Sequence, residues 1–97
     1  MEHCSNKRAH HSKEFKENLV KRLNRIEGQI NGIKKMIEND CYCDDILNQI
    51  TGIRSALAGV QQILLSGHIK TCVFDQIKEG NIEVVDELTQ TIRRMLK

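Results

Sequence analysis

Apolar side chains recur at every third or fourth position along two long stretches of this chain, and no proline interrupts either stretch. Residues with that spacing lie on one face of an α-helix, so each stretch is predicted to be a helix of roughly 27 residues or longer. The two stripes consist of Phe15, Leu19, Leu23, Ile26, Ile30, Ile33 and Ile37, and of Ile46, Ile50, Ile53, Leu57, Val60 and Leu64. The chain is therefore predicted to be all-α.

The ends of three helices can be placed from capping residues and turn signals. Ser12 is a good N-cap for the first helix, which is expected to reach about Glu38. The second helix is expected to begin within residues 40–44, to continue past Gly67 and to stop at the turn of residues 78–81. A third helix follows, with apolar positions Ile82, Val85, Leu88, Ile92 and Met95.

Three helices with stripes this long cannot cover one another inside a single protomer of 97 residues. Pairing two such helical hairpins into an antiparallel four-helix bundle buries both stripes. We therefore predict an obligate dimer or higher oligomer. Residues 1–11 lack hydrophobic periodicity and are expected to be a flexible tail, which leaves residues 12–97 as one helical domain.

Composition restricts the compartment and the class of function. No apolar run approaches the roughly 18 residues of a membrane helix, and no signal-peptide segment follows Met1. A cytoplasmic protein keeps its thiols reduced, so its four cysteines are expected to serve metal or redox chemistry. The chain has only three aromatic residues, no nucleophile–base pair and no phosphate loop, so we predict neither an enzyme nor a small-molecule substrate.

Cys43, His68 and Cys72 form a soft set of metal ligands. His68 and Cys72 are four residues apart and can point at one ion from one helix face. Cys43 lies roughly 37 Å away if the intervening residues form one helix. Either the site is shared between subunits or Cys43 is not a ligand, and an antiparallel bundle would bring the two ends of the second helix together across the subunits. Cys41, two residues before Cys43, would point to another side of a helix.

Basic residues are concentrated near the N-terminus, where residues 1–25 carry seven lysines and arginines against three acids. That excess suits a polyanion, although a solvated helix face explains the charge equally well. The same region holds His3, Cys4, His10 and His11, which are expected to bind metal adventitiously or as an accessory site.

Three segments, in order and in register, resemble the copper-sensitive operon repressors, the CsoR branch of a bacterial regulator family. They are Arg22–Gln29, Tyr42–Ile50 and Leu64–Cys72. The resemblance covers residues 12–96. It implies a three-helix protomer that forms dimers and then a disc-shaped tetramer, in agreement with the bundle argued above.

The resemblance also implies a ligand set. Cys43 of one protomer would bind Cu(I) together with His68 and Cys72 of the partner subunit, and Tyr42 and Glu87 would form the outer shell of the site. Glu87 matches the family pattern less closely, because the turn before it differs in length. A carboxylate holding the far nitrogen of His68 would transmit metal binding to the third helix.

The implied function is a cytoplasmic repressor that binds operator DNA when metal-free and is released by Cu(I), which derepresses copper-resistance genes. Lys21, Arg22 and Arg25 on the first helix are the candidate DNA contacts, followed by Arg54 on the second. An ion pair between Arg54 and an acid such as Glu27 is an equal alternative.

Related branches and another class of protein remain as alternatives. Nickel and cobalt sensors resemble the chain but place histidine at the position of Cys72, and persulfide sensors generally lack a histidine at the position of His68. Formaldehyde sensors require proline after the initiator methionine, where this chain has Glu2. A copper or zinc carrier that never touches DNA also stays open, as does a redox or zinc-binding role for Cys41.

Overall fold

A computed structural model describes residues 10–97, and within that range the chain forms helices and no strand. The helices are α1 (Lys13–Glu38), α2 (Cys43–His68), α3 (Phe74–Lys78) and α4 (Glu83–Met95). One π-helical turn, Ile69–Val73, joins α2 to α3 without a break. The predicted all-α fold is confirmed, and the predicted second helix is this continuous run from α2 to α3. The predicted tail falls outside the described residues except for its last two positions.

Helix α1 begins where its capping residue predicts. Ser12 has an extended backbone, and its side-chain oxygen accepts a hydrogen bond from the backbone N–H of Phe15 at 3.1 Å. This bond satisfies one of the amide groups that have no partner at a helix start. Glu14 lies in the first turn, where the helix dipole favours negative charge.

Helix α1 ends in a Schellman motif that fixes the short connection to α2. Asp40 takes the left-handed conformation with φ 54°, and its N–H donates to the carbonyl of Ile37 at 3.1 Å. The N–H of Cys41 donates to the carbonyl of Met36 at 2.9 Å. These two bonds satisfy carbonyls that would otherwise be unpaired at the helix end and turn the chain sharply.

The long helix ends at Lys78 in the same manner, as the Gly-Asn pair predicts. Gly80 has φ 90°, a conformation that glycine adopts without steric cost. Its N–H donates to Ile77 at 3.0 Å, and the N–H of Asn81 donates to Gln76 at 2.9 Å. The side chain of Asn81 also donates to that of Gln76 at 2.9 Å, which adds a polar contact to the turn.

The described chain divides into two compact units, Ser12–Leu64 and Leu65–Lys97. In the first unit α1 and α2 lie side by side, because residues of both helices line one cleft. Ile26 of α1 and Ile53 of α2 are its buried apolar residues. Several members of the two predicted stripes are exposed in the protomer: Leu23, Ile30, Ile37, Ile50, Leu57 and Leu64.

The second unit packs α4 against the π-turn. Its buried residues are Cys72, Val73 and Val84, of which Val84 of α4 is only 2% exposed. The predicted stripe omitted Val84 and included Ile82 and Val85, which are exposed. The reason is the register of α4, which begins at Glu83 and turns Val84 inward.

No helix within residues 10–97 is long and apolar enough to cross a lipid bilayer.

Candidate metal centre and nucleic-acid interface

The π-turn is the local feature that positions Cys72. The N–H of Phe74 donates to the carbonyl of Ile69, a bond across five residues instead of the usual four. A π-turn inside an α-helix is rare and frequently marks a functional site. The predicted continuation of the second helix past Gly67 is confirmed, and residues 69–73 continue it as a π-turn. His68 is the last residue of α2, and Cys72 lies within the wider turn.

Thr71 accounts for part of this local geometry. Its hydroxyl donates to the carbonyl of Gly67, four residues earlier, at 2.7 Å. A threonine that bonds back to a carbonyl in this way competes with the helical ladder and often bends the helix. The sequence signal for a distorted turn was therefore a glycine followed four residues later by a threonine. The same spacing also occurs in regular helices, so it does not predict a π-turn by itself.

The thiol of Cys72 is buried in a partly polar surrounding. Cys72 is 6% exposed, and Val73 beside it is also buried. Its Sγ lies 3.5 Å from the hydroxyl oxygen of Thr71, within hydrogen-bond reach for sulfur. His68 is half-buried one turn earlier. One continuous helix therefore carries a shielded thiol and an accessible imidazole four residues apart.

Cys43 stands at the opposite end of that helix. It is the first residue of α2 and is exposed. The carbonyl of Tyr42 accepts hydrogen bonds from the N–H groups of Asp45 and Ile46, so Tyr42 is the N-cap residue. From Cys43 to His68 the α-helical rise amounts to roughly 37 Å.

The predicted ligands do not meet within one protomer. Among residues 10–97, no group of three or more histidine, cysteine, aspartate or glutamate side chains could hold a metal ion. A site made of Cys43, His68 and Cys72 therefore needs a second copy of the chain. The cysteines at 41, 43 and 72 are all free thiols.

The two predicted outer residues belong to different compact units of the chain. Tyr42 is 70% exposed beside Cys43. Glu87 lies on the exposed side of α4, and its backbone carbonyl accepts a bond from the hydroxyl of Thr91 at 3.2 Å. Glu87 thus belongs to the helix that packs against the turn carrying Cys72.

The four predicted DNA contacts, Lys21, Arg22, Arg25 and Arg54, are all exposed. Arg22 donates through Nε to the side chain of Asn18 at 3.1 Å, which restrains its guanidinium on α1. No ion pair joins Arg54 to Glu27 in the part of the chain that the structure describes. The alternative in which Arg54 pairs with Glu27 is therefore not seen in the protomer.

Arg22 and Arg25 border a cleft between α1 and α2. Its remaining lining consists of Ile26 and Gln29 from α1 and of Ser55, Ala56 and Gly59 from α2. The small residues of α2 leave room for a ligand beside the two guanidinium groups. Gln29 and Ser55 are polar groups of this cleft that were not predicted as site residues, because helical spacing alone does not reveal which residues of two helices face each other.

These features define an all-α protein with a thiol–imidazole pair on one helix and an arginine-lined cleft between two helices. Residues 15–94 match the family described as metal-sensitive transcriptional repressor, and the chain belongs to that family. The family consists of repressors and not of enzymes, and the resemblance stated from the motifs is confirmed.

Relatives and solved structures agree with this assignment. The chain is 43% identical over 89 residues to the copper-sensing transcriptional repressor CsoR of Bacillus subtilis, covering 91% of this chain and 88% of the relative. It is 47% identical over 72 residues to the copper-sensing transcriptional repressor RicR of Mycobacterium tuberculosis, covering 74% and 75% of the two chains.

Among solved structures, the copper-sensing repressor CsoR with Cu(I) from Geobacillus thermodenitrificans superposes with a TM-score of 0.87 at 44% identity, covering 93% of this chain and 95% of the other. The nickel-responsive transcriptional regulator InrS superposes with a TM-score of 0.72 at 39% identity, covering 87% and 96%.

Proposed function

We propose that this protein is a copper(I)-responsive transcriptional repressor of the cytoplasm. The metal-free oligomer binds operator DNA, and Cu(I) releases it, so that copper-resistance genes are expressed. One observation carries the proposal: a buried thiol and an imidazole share one turn of a helix whose other end bears the third soft ligand. That arrangement suits an ion shared between two protomers, and three of the similar proteins are named for copper.

The donor set fits Cu(I). Cys43 of one protomer and His68 and Cys72 of the partner subunit supply two thiolates and one imidazole. Soft thiolates select Cu(I), whereas nickel favours nitrogen and oxygen donors in square-planar surroundings. The relative named for nickel sensing makes Ni(II) the competing effector, and the thiolate-rich set is the argument against it.

Bound Cu(I) would link two protomers, because its ligands would come from both. Cys43 holds it from the start of α2, and His68 and Cys72 of the partner subunit hold it from the end of that subunit's α2 and its π-turn. Tyr42 and Glu87 act in the outer shell, and Glu87 lies on the helix that packs against the π-turn. Binding at His68 and Cys72 would therefore act next to α4, which packs against the π-turn.

The exposed apolar residues of α1 and α2 support a second copy of the chain as the partner. Leu23, Ile30, Ile50 and Leu57 are each at least 38% exposed in the protomer. A large exposed apolar surface marks an interaction site, and an antiparallel four-helix bundle is the assembly that would cover this one. Two such dimers, each built from residues 12–97, form the proposed disc-shaped tetramer.

Operator DNA is the proposed ligand of the basic surface. Lys21, Arg22 and Arg25 on α1 and Arg54 on α2 are exposed cations that can follow phosphates. In a symmetric tetramer the same cations repeat at fixed spacing, which matches a palindromic operator. By linkage, DNA must weaken Cu(I) binding by the same factor by which Cu(I) weakens DNA binding.

The test is an anaerobic Cu(I) titration of the protein bound to an operator that the metal-free protein selects from random-sequence DNA. We expect each protomer to bind one Cu(I). We also expect Cu(I) to lower the DNA affinity by a factor within the usual allosteric range of about 5 to 150, measured by fluorescence anisotropy. His68→Ala should still bind Cu(I) through two thiolates and should no longer release DNA. His10→Ala, at an exposed histidine outside the site, is the matched control and should behave as wild type.

The same titration separates the rival functions. Release by Ni(II) and not by Cu(I) would make the protein a nickel sensor, and release by inorganic polysulfide in the absence of metal would make it a persulfide sensor. Tight Cu(I) binding without salt-dependent DNA binding would identify a copper carrier. Unchanged regulation in His68→Ala would exclude the proposed route through the imidazole.

A further inference from the structure

Two exposed thiols stand on either side of Tyr42 in the connection between α1 and α2. Cys41 and Cys43 are both free and exposed. The proposed copper site uses Cys43 alone, so Cys41 is a soft ligand whose presence the proposed function does not explain.

The backbone on each side of this pair is held by hydrogen bonds. The N–H of Cys41 is bound to the carbonyl of Met36, and the carbonyl of Tyr42 caps α2. Cys41 therefore lies outside the helix, and the expectation that the two thiols point to different sides of one helix does not apply. A single residue, Tyr42, separates the thiol in the turn from the thiol at the helix start.

The separation of the two cysteines suits a single soft ion. Residues two apart have Cα atoms at most roughly 7 Å from each other, a separation that two cysteine side chains directed at one ion can span. Two thiolates held at this distance can bind a soft ion together, and low coordination by sulfur suits Cu(I).

Burial then decides which thiols meet an incoming ion first. Cys72 is 6% exposed and His68 is half-buried, whereas Cys41 and Cys43 are exposed. Copper held by a thiolate donor moves by ligand exchange, which requires contact between the ion and an accessible sulfur. Within residues 10–97, Cys41 and Cys43 are the thiols that meet this requirement.

We propose that Cys41 and Cys43 form an exposed two-thiolate acceptor site, which takes Cu(I) from thiolate donors and passes it to the intersubunit site. Bonds from copper to the donor sulfurs break as bonds to Cys41 and Cys43 form, and the protons of the two thiols pass to the released donor thiolates. Cys43 then keeps the ion while His68 and Cys72 of the partner subunit replace Cys41. No electron is transferred. This inference rests on the proposed copper function.

The test follows the arrival of copper through the one tyrosine of the chain, Tyr42, which lies between the two thiols. Protein carrying Cys4→Ser, with and without Cys41→Ser, is mixed anaerobically with Cu(I)–glutathione, and the tyrosine fluorescence is recorded by stopped flow. We expect Cys41→Ser to slow the transfer by roughly tenfold, the lower range for loss of a supporting metal contact. Asn39→Ser, in the same turn, is the matched control and should keep the wild-type rate.

Equilibrium measurements separate an acceptor site from a ligand of the final site. Competition with bathocuproine disulfonate should give the same Cu(I) affinity for Cys41→Ser and for the protein with Cys41. In Cys72→Ser the pair should still bind Cu(I), more weakly, and adding Cys41→Ser should abolish that binding. An unchanged transfer rate in Cys41→Ser, or an equilibrium affinity that falls together with the rate, would overturn the proposal. If the protein is not a copper sensor, the DNA will instead stay bound at saturating Cu(I), whatever the transfer rate.

Discussion

At the residue scale, the arginines of α1 are the clearest link between the chemistry of single side chains and the proposed DNA binding. Arg22 and Arg25 border the same cleft, with the polar side chains of Gln29 and Ser55 nearby. A guanidinium presents a rigid set of donors that matches phosphate oxygens, and a lysine in its place would keep only the charge. The two guanidinium groups are therefore suited to phosphate by the arrangement of their donors as well as by their charge.

Replacing Arg25 by alanine is expected to weaken operator binding about tenfold or more, because a contact to phosphate is lost in each protomer that touches DNA. The slope of log affinity against log salt concentration should also fall by about 1 per lost contact. Anisotropy titrations at several salt concentrations measure both quantities. Lys35→Ala removes an exposed cation from the last turn of the same helix and is the matched control. Equal losses in the two variants would show that only net charge matters.

At the scale of elements, the π-turn is what distinguishes this long helix from an ordinary one. It widens the helix at the residues that carry the buried thiol, and α4, whose Val84 is buried, packs against it. A π-turn inside an α-helix frequently marks a functional site. The hydroxyl of Thr71 supports the turn through its bond to Gly67.

Thr71→Val keeps the shape of the side chain and removes that hydroxyl. We expect the free energy of unfolding to fall by about 1 kcal/mol, the typical net value of one hydrogen bond in a partly buried place. Denaturant unfolding at one fixed protein concentration is the appropriate measurement, since oligomer stability depends on concentration. Thr89→Val is the control, because Thr89 makes the same bond to Val85 on an exposed face of α4. Its effect should stay within about 0.5 kcal/mol, and equal effects at both positions would remove the special role of Thr71.

At the scale of the whole molecule, one protomer leaves much of its apolar stripes exposed and does not bring the three predicted ligands together. The long helix holds its two ends apart, so one chain cannot close a three-ligand site of this kind. An antiparallel pair of protomers that buried these exposed apolar residues would also bring the start of one long helix close to the end of the other. In the proposed assembly, oligomerisation and metal binding would have a common structural cause.

Leu57→Glu places a charge in the exposed part of the α2 stripe, where burial in a bundle would desolvate it. We expect this variant to lose self-association at micromolar concentration and to lose the Cu(I) site with it, as measured by sedimentation equilibrium and by competition with bathocuproine disulfonate. Leu96→Glu changes a residue that is 81% exposed beyond α4 and should remain oligomeric. An assembled Leu57→Glu protein would place the interface elsewhere.

The sequence by itself determined the helices and most of their caps, because helical spacing and capping are local properties, and the three soft ligands stay a prediction from ligand chemistry. The absence of proline, Ser12 and the Gly-Asn pair at 80–81 were sufficient to place most helix ends. Only the tertiary structure decided that α4 turns Val84 inward, that residues 69–73 form a π-turn, and that Gln29 and Ser55 border the arginine cleft. Those outcomes depend on which side chains of different helices meet, and no spacing within a single helix specifies such contacts.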